Sequence, residues 1–222
     1  MRLLFGSLIV FALVMAKVAP APALELGVQD DPVLLTRSYG SAELALQRAA
    51  GMGASRVRVN LVWAHAMSGD AARASKRPGD LTWDFSALER LHAEAGAHGL
   101  ELQVTLTGPA PAWATGDGKV GYTRPRARAF AEFAGAAVTA FAGRIDRWSV
   151  WNEPNWHRLL QPARRAPSIY RSLFRHGSAA IRAADPAAAV LIGEMMPGRN
   201  STASTPALKF LRKVACARCA VL

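Results

Sequence analysis

The feature that most limits what this chain can become is its alternation of β-branched apolar runs with amphipathic helical stretches. "LELGVQD" (Leu24 to Asp30), "SRVRVNLVW" (Ser55 to Trp63), "LELQVTLTG" (Leu100 to Gly108), "IDRWSVW" (Ile145 to Trp151) and "AAAVLIGE" (Ala187 to Glu194) read as strands. Between them, Ser41 to Gly53, Asp84 to Gly99, Arg124 to Arg144 and Pro167 to Pro186 carry apolar residues at helical spacing; Phe85, Leu88, Leu91 and Ala95 share one face. Strands this apolar need cover on both sides. A parallel sheet with helical crossovers provides it, so the predicted order is β-α-β-α-β-α-β-α-β.

Two architectures suit that order, an open doubly wound sheet and a closed (β/α)₈ barrel. No glycine-rich G-x-G-x-x-G turn follows the first strand, so a dinucleotide-binding sheet would have nothing to hold its phosphates. A barrel instead collects polar residues at the C-terminal ends of its strands. Gln29, Asp30 and Asp31 follow the first strand, Asn60 and Trp63 the second, Thr105 and Thr107 the third, Asn152 and Glu153 the fourth, and Glu194 the fifth. The expected fold class is α/β, a (β/α)₈ TIM barrel truncated after about the fifth strand. Such barrels take about 250 residues, whereas "LKFLRKVACARCAVL" starts like a fifth helix and ends the chain. An incomplete reading frame is the expectation.

The flanks and the charge narrow the setting. Residues 1–23 combine a basic start, an apolar run from Leu3 to Met15 and the small-residue pattern Ala21-Pro22-Ala23, which predicts a cleaved secretory signal and a chain working outside the cytoplasm from residue 24 to 222. The apolar run is shorter than the roughly 20 residues of a spanning helix, so no stable membrane insertion is expected after cleavage. With 27 Lys and Arg against 16 Asp and Glu, the chain carries +11. Its arginines are scattered among alanines, as a GC-rich bacterial genome encodes them, and no basic stripe interleaves with aromatics; a nucleic-acid partner is not expected, while acidic sugars or the cell envelope stay open. Cys216 and Cys219 form a lone C-x-x-C, read as a local disulfide or an incidental pair, and the sequon at Asn200 is read as chance.

The stretch "RWSVWNEPNW" (Arg147 to Trp156) carries the chemistry. A carboxyl group at Glu153, at the end of a barrel strand, sits where substrates bind. Pro154 fixes the backbone directly after it, and Asn152 offers donors and an acceptor beside it. The structural alternative for Glu153 is an ion pair with Arg58 or Arg147.

"WNEPN" at the fourth strand, together with "RVRVNLVW" at the second, resembles the clan A glycoside hydrolases, closest to the family 39 and family 5 type, from Leu24 to about Pro197. The resemblance implies a retaining glycosidase acting on a carbohydrate substrate, with Glu153 as general acid/base and Asn152 as partner of the sugar 2-hydroxyl. It matches Arg58 to the second-strand arginine that hydrogen-bonds the nucleophile; an ion-paired structural arginine is the equal alternative. Trp63, Trp113 and Trp156 fall on loops at the same end and are either sugar-stacking platforms or core.

Retention needs two carboxyl groups about 5 to 5.5 Å apart, and the resemblance places the nucleophile at the end of a seventh strand. These 222 residues are therefore expected to show little or no hydrolase activity, and a complete parent barrel to have it. Glu194, on the neighbouring strand, is read chiefly as a substrate-cleft residue and only secondarily as a replacement nucleophile. A non-catalytic carbohydrate-binding or cell-envelope protein on a degenerate barrel is the competing class; the intact Asn-Glu-Pro triplet stands against it. No cofactor is implied, since His65, His92, His98, His157 and His176 show no metal-ligand spacing. Sugar, linkage and oligomeric state have no signature in the chain.

Overall fold

The computed structural model describes residues 25–198 and 202–215. The predicted signal segment, the sequon at Asn200 and the Cys216/Cys219 pair lie outside the described residues.

Five strands form one fully parallel sheet in the order of the sequence. Strand β1 (Gly27–Gln29) leads through α1 (Asp31–Leu34) and α2 (Ala42–Gly51) to β2 (Arg56–Val62). From there α3 (Gly69–Arg73) and α4 (Ser86–Ala97) precede β3 (Glu101–Thr107), α5 (Ala127–Ala140) precedes β4 (Arg147–Val150), α6 (Ala166–Ala184) precedes β5 (Ala189–Ile192), and α7 (Ala207–Ala215) follows. Consecutive strands pair side by side, with Arg58 opposite Gln103, Gln103 opposite Arg147 and Arg147 opposite Ala189.

Period-2 alternation splits the sheet into two unlike faces. Val57, Val59, Leu61, Leu102, Val104, Leu106, Trp148 and Val150 are buried in the hydrophobic core on the helix side. Arg58, Asn60, Gln103, Thr105 and Ser149 occupy the opposite, inner face. Helices cover the first face through their apolar stripes; Leu88, Leu91 and Ala95 of α4 are fully buried, as their spacing predicts. Helices α5 and α6 meet closely at Gly177, where a Cβ would come within 2.8 Å of the Phe130 ring. No helix among the described residues is long and apolar enough to cross a membrane.

The strands are shorter than predicted, β1 and β5 most of all. Ala187 is not available to the ladder because its N–H caps the Asp185 carboxylate at 3.0 Å. At the other end Gly193 turns the chain with a left-handed φ of +65°, so Glu194 lies two residues past the strand rather than on it.

Candidate active site

The quoted stretch at the end of β4 adopts an unusual backbone. Trp151 and Glu153 have left-handed φ values of 66° and 44°, one on each side of Asn152. Bulky residues are rarely found there, and such conformations persist only where surrounding contacts over-determine them. Those contacts are present. The Trp151 N–H donates to Leu106 O at 2.8 Å, the Asn152 N–H to Thr107 Oγ1 at 3.1 Å and the Glu153 N–H to Glu194 O at 2.9 Å. Trp151 is fully buried and its indole donates to Leu159 O, while Asn155, also fully buried, donates to Met196 O and Thr205 O and accepts the Met196 N–H at 2.8 to 2.9 Å. The loop after β4 is thereby fastened to β3 on one side and to the segment after β5 on the other.

Arg58 links the inner face to this loop. Its Nη2 donates to Asn152 Oδ1 at 2.8 Å, its Nε to Thr105 Oγ1 at 3.0 Å, and its Nη1 to Gln29. A guanidinium can only donate, so the Asn152 atom facing it is the oxygen. The Asn152 NH₂ group then has no partner among the described residues, and it is the end left to donate to a ligand.

Glu194 takes the other side of Arg58, with Nε to Oε1 at 3.3 Å. The same oxygen accepts from Gln103 at 3.1 Å, from Thr105 at 3.4 Å and from Ser149. Its carboxylate is thus spoken for by one cation and three neutral donors. Tyr170, buried beneath, donates to Val150 O at 3.1 Å, and burial pushes its hydroxyl far above the usual range, which keeps it a fixed donor.

Glu153 is the contrast. It is only partly buried, and its carboxylate forms no ion pair or hydrogen bond with any described residue. The two arginines that could have made it structural are engaged elsewhere, Arg58 with Glu194 and Arg147 with Glu25 and Asp146. Asn152 and Glu194 are brought together by Arg58, and Glu153 joins them through its backbone N–H on Glu194 O.

The tryptophans divide. Trp63 is completely buried, stacked on Phe133 at 5.9 Å and edge-on to Trp113 and Phe130 at 6.0 and 5.7 Å. Trp113 is 5% exposed. Both are corrected from sugar platforms to core. The reason for Trp63 is register, since it continues the helix-facing row of Val57, Val59 and Leu61. Both indole N–H groups are buried without an acceptor. Trp156 is half-buried and stays near the cleft, bridged to Ser204. Gln103 and Ser149, which hold Glu194, and Asn155, which fastens the loop, were not foreseen as part of the site, whereas Gln29 and Thr105, expected at the strand ends, prove to hold Arg58.

Against known proteins, no family model matches the chain, and no curated protein does. Solved structures do match. A family 39 glycoside hydrolase from Bacteroides cellulosilyticus WH2 aligns with a TM-score of 0.54 and 18% identity over 76% of this chain and 31% of its own. A GH39 enzyme from Xanthomonas axonopodis pv. citri aligns at 0.53 and 19% over 75% and 34%. Endoglucanase Cel5A from Thermotoga maritima aligns at 0.53 and 13% over 75% and 50%. The fold is that of a (β/α)₈ barrel truncated after the fifth strand, and it is similar to part of the fold of these structures. The chain spans about a third to a half of the length of these structures, and its five parallel strands correspond to part of their barrels. At this identity the likeness extends to the fold and not to side chains.

Proposed function

We propose that these five strands carry the acid/base half of a retaining glycosidase site, in a protein exported from the cytoplasm. Glu153 protonates the departing glycosidic oxygen and then, as the base, deprotonates the water that releases the sugar. Asn152 donates its free NH₂ group to a sugar hydroxyl, and Arg58 fixes the orientation of that amide. The observation that carries the reading is the pairing of a held Asn152 with an unpartnered, partly exposed Glu153 on a backbone strained at both neighbours.

The nucleophile belongs elsewhere. Glu194 follows the neighbouring strand, but Arg58, Gln103, Thr105 and Ser149 all take its Oε1 and hold the carboxylate in place, which limits its freedom to attack. A second carboxylate from outside the five strands fits the clan resemblance.

Two measurements test this. Steady-state hydrolysis of an aryl glycoside by the 222-residue chain is expected to be negligible; turnover that disappears on Glu153→Gln would contradict the external nucleophile. In a complete eight-stranded form, whether a longer natural product or a chimera with the last three units of a family 39 barrel, hydrolysis is expected, and an unchanged rate on Glu153→Gln would contradict the acid/base role.

A further inference from the structure

A second feature at the same end of the sheet is not used by this chemistry. The segment "RPRAR" (Arg124 to Arg128) enters α5, and Arg165 stands at the entry to α6. Two cavities of about 300 and 620 Å³ run along the junction of these helices and share Ala127 and Ser172, so they form one groove. Arg124 and Arg165 line one half; Arg126, Arg128, Arg77 and His176 line the other. The only acid in the lining is Glu132, and Arg77 neutralises it. The other four arginines are exposed, and their guanidinium groups form no hydrogen bond or ion pair with any described residue.

Four unpaired guanidinium groups in one groove repel one another, and each is worth most when an anion sits among them. The N-terminal ends of α5 and α6 add their positive partial charge to the same place. The backbone holds the arrangement in position: the Arg124 N–H donates to Gln161 O at 2.9 Å, the Gln161 N–H to Tyr122 O at 3.0 Å, and the Arg126 N–H to Ala114 O at 2.8 Å. The two bonds of Gln161 tie the loop after β3 to the loop after β4, the loop that carries Asn152 and Glu153, and the third closes the loop after β3 on itself.

We propose that this groove binds an anionic polysaccharide, a chain whose carboxylate or sulfate groups recur along the sugar backbone. Pro125, Ala127 and Ile169 supply apolar floor between the charges, which suits the faces of sugar rings. No exposed phenylalanine, tyrosine or tryptophan lies among these arginines; Trp113 is 5% exposed, which leaves His176 as the one exposed ring among the described lining residues. Single-stranded nucleic acid is held by base stacking on successive aromatic rings, so the groove fits an acidic glycan better. That an acidic glycan is also what Glu153 cleaves rests on the glycosidase reading; the binding itself does not.

The test is binding of the 222-residue chain to polygalacturonate, to neutral dextran and to a single-stranded oligodeoxynucleotide of matched charge, by calorimetry at two salt concentrations. Arg124→Gln/Arg126→Gln/Arg128→Gln is compared with Arg48→Gln/Arg182→Gln/Arg212→Gln, which removes the same charge from exposed arginines elsewhere. Polygalacturonate is expected to bind and dextran not, with the groove triple weakening binding at least about 10-fold, the control triple less than about 3-fold, and added salt weakening the parent most. Equal losses from both triples, absence of binding by the parent, or equal affinity for the oligodeoxynucleotide would each overturn the proposal. Binding is read without turnover, so failure of the groove and failure of the acid/base assignment are read separately.

Discussion

Arg56 and Arg58 stand two residues apart on β2 and belong to the same inner-facing row, yet their surroundings differ in kind. Arg56, at the lower end of the sheet, is 4% exposed and meets three carboxylates: Glu25 at 3.0 Å, Asp146 at 2.7 Å and Glu101, besides Leu102 O at 3.0 Å. Burial works against its charge, but the bonds to Asp146 and Glu25 outweigh that and hold its pKa above the usual range. Arg58 meets one carboxylate and otherwise neutral groups, among them Thr105, Gln29 and Asn152. The lower arginine saturates acids and closes the base of the sheet. The upper one spends its donors on orienting an amide and leaves the next carboxylate, Glu153, unmatched. Charge satisfied on all sides is a mark of stability, and charge left unmatched on a held backbone is a mark of function.

Position at the upper end is not sufficient, however, and Trp63 breaks the comparison if it is read by position alone. Trp63→Ala is expected to destabilise the protein by about 3–5 kcal/mol, and Trp156→Ala by clearly less. Urea unfolding measures both, and equal losses would move Trp63 back to the surface. The two arginines separate next. In the eight-stranded form Arg58→Gln is expected to lower kcat/KM by about 10²-fold through a misplaced Asn152 while moving stability little. Arg56→Gln should do the reverse, costing about 1–3 kcal/mol of stability with kcat/KM retained. A shared loss of activity would mean that Arg58 is merely another structural cation.

The smallest effect concerns acid. Hydrogen bonds from Arg147 first and Arg56 second hold the Glu25 carboxyl below its ordinary value of 4.5. A lowered folded pKa stabilises fully above 4.5 and loses that contribution as pH falls through the folded value. The stability difference between the parent and Glu25→Gln is therefore expected to be constant at neutral pH and to shrink below 4.5, as followed by urea midpoints across pH. A difference that is flat down to the acid limit would detach Glu25 from the lower cluster.

Much of this was legible in the residues. The parallel sheet followed from apolar strands alternating with amphipathic helices, and the upper-end location of Asn152 and Glu153 from their place after the fourth strand, although β4 stops at Val150, four residues before Pro154. Trp63 was legible too, because Val57, Val59 and Leu61 set the register that it continues. Trp113 was not, since its burial depends on a loop folding back against Phe130 and Phe133 through Trp63. The roles of Asn155 and Glu194 were equally hidden. Asn155 finds its acceptors 41 and 50 residues away, and Glu194 meets Gln103 across 91 residues, contacts that no local spacing encodes.

The central claim is a proton transfer from Glu153 to a leaving oxygen, and leaving-group dependence measures that transfer most directly. With a basic alkyl leaving group, Glu153→Gln in the eight-stranded form is predicted to lower kcat/KM by about 10²- to 10⁴-fold. With 2,4-dinitrophenolate, which departs without protonation, the loss is predicted to be far smaller. Equal losses on both substrates, or none on either, would contradict the account.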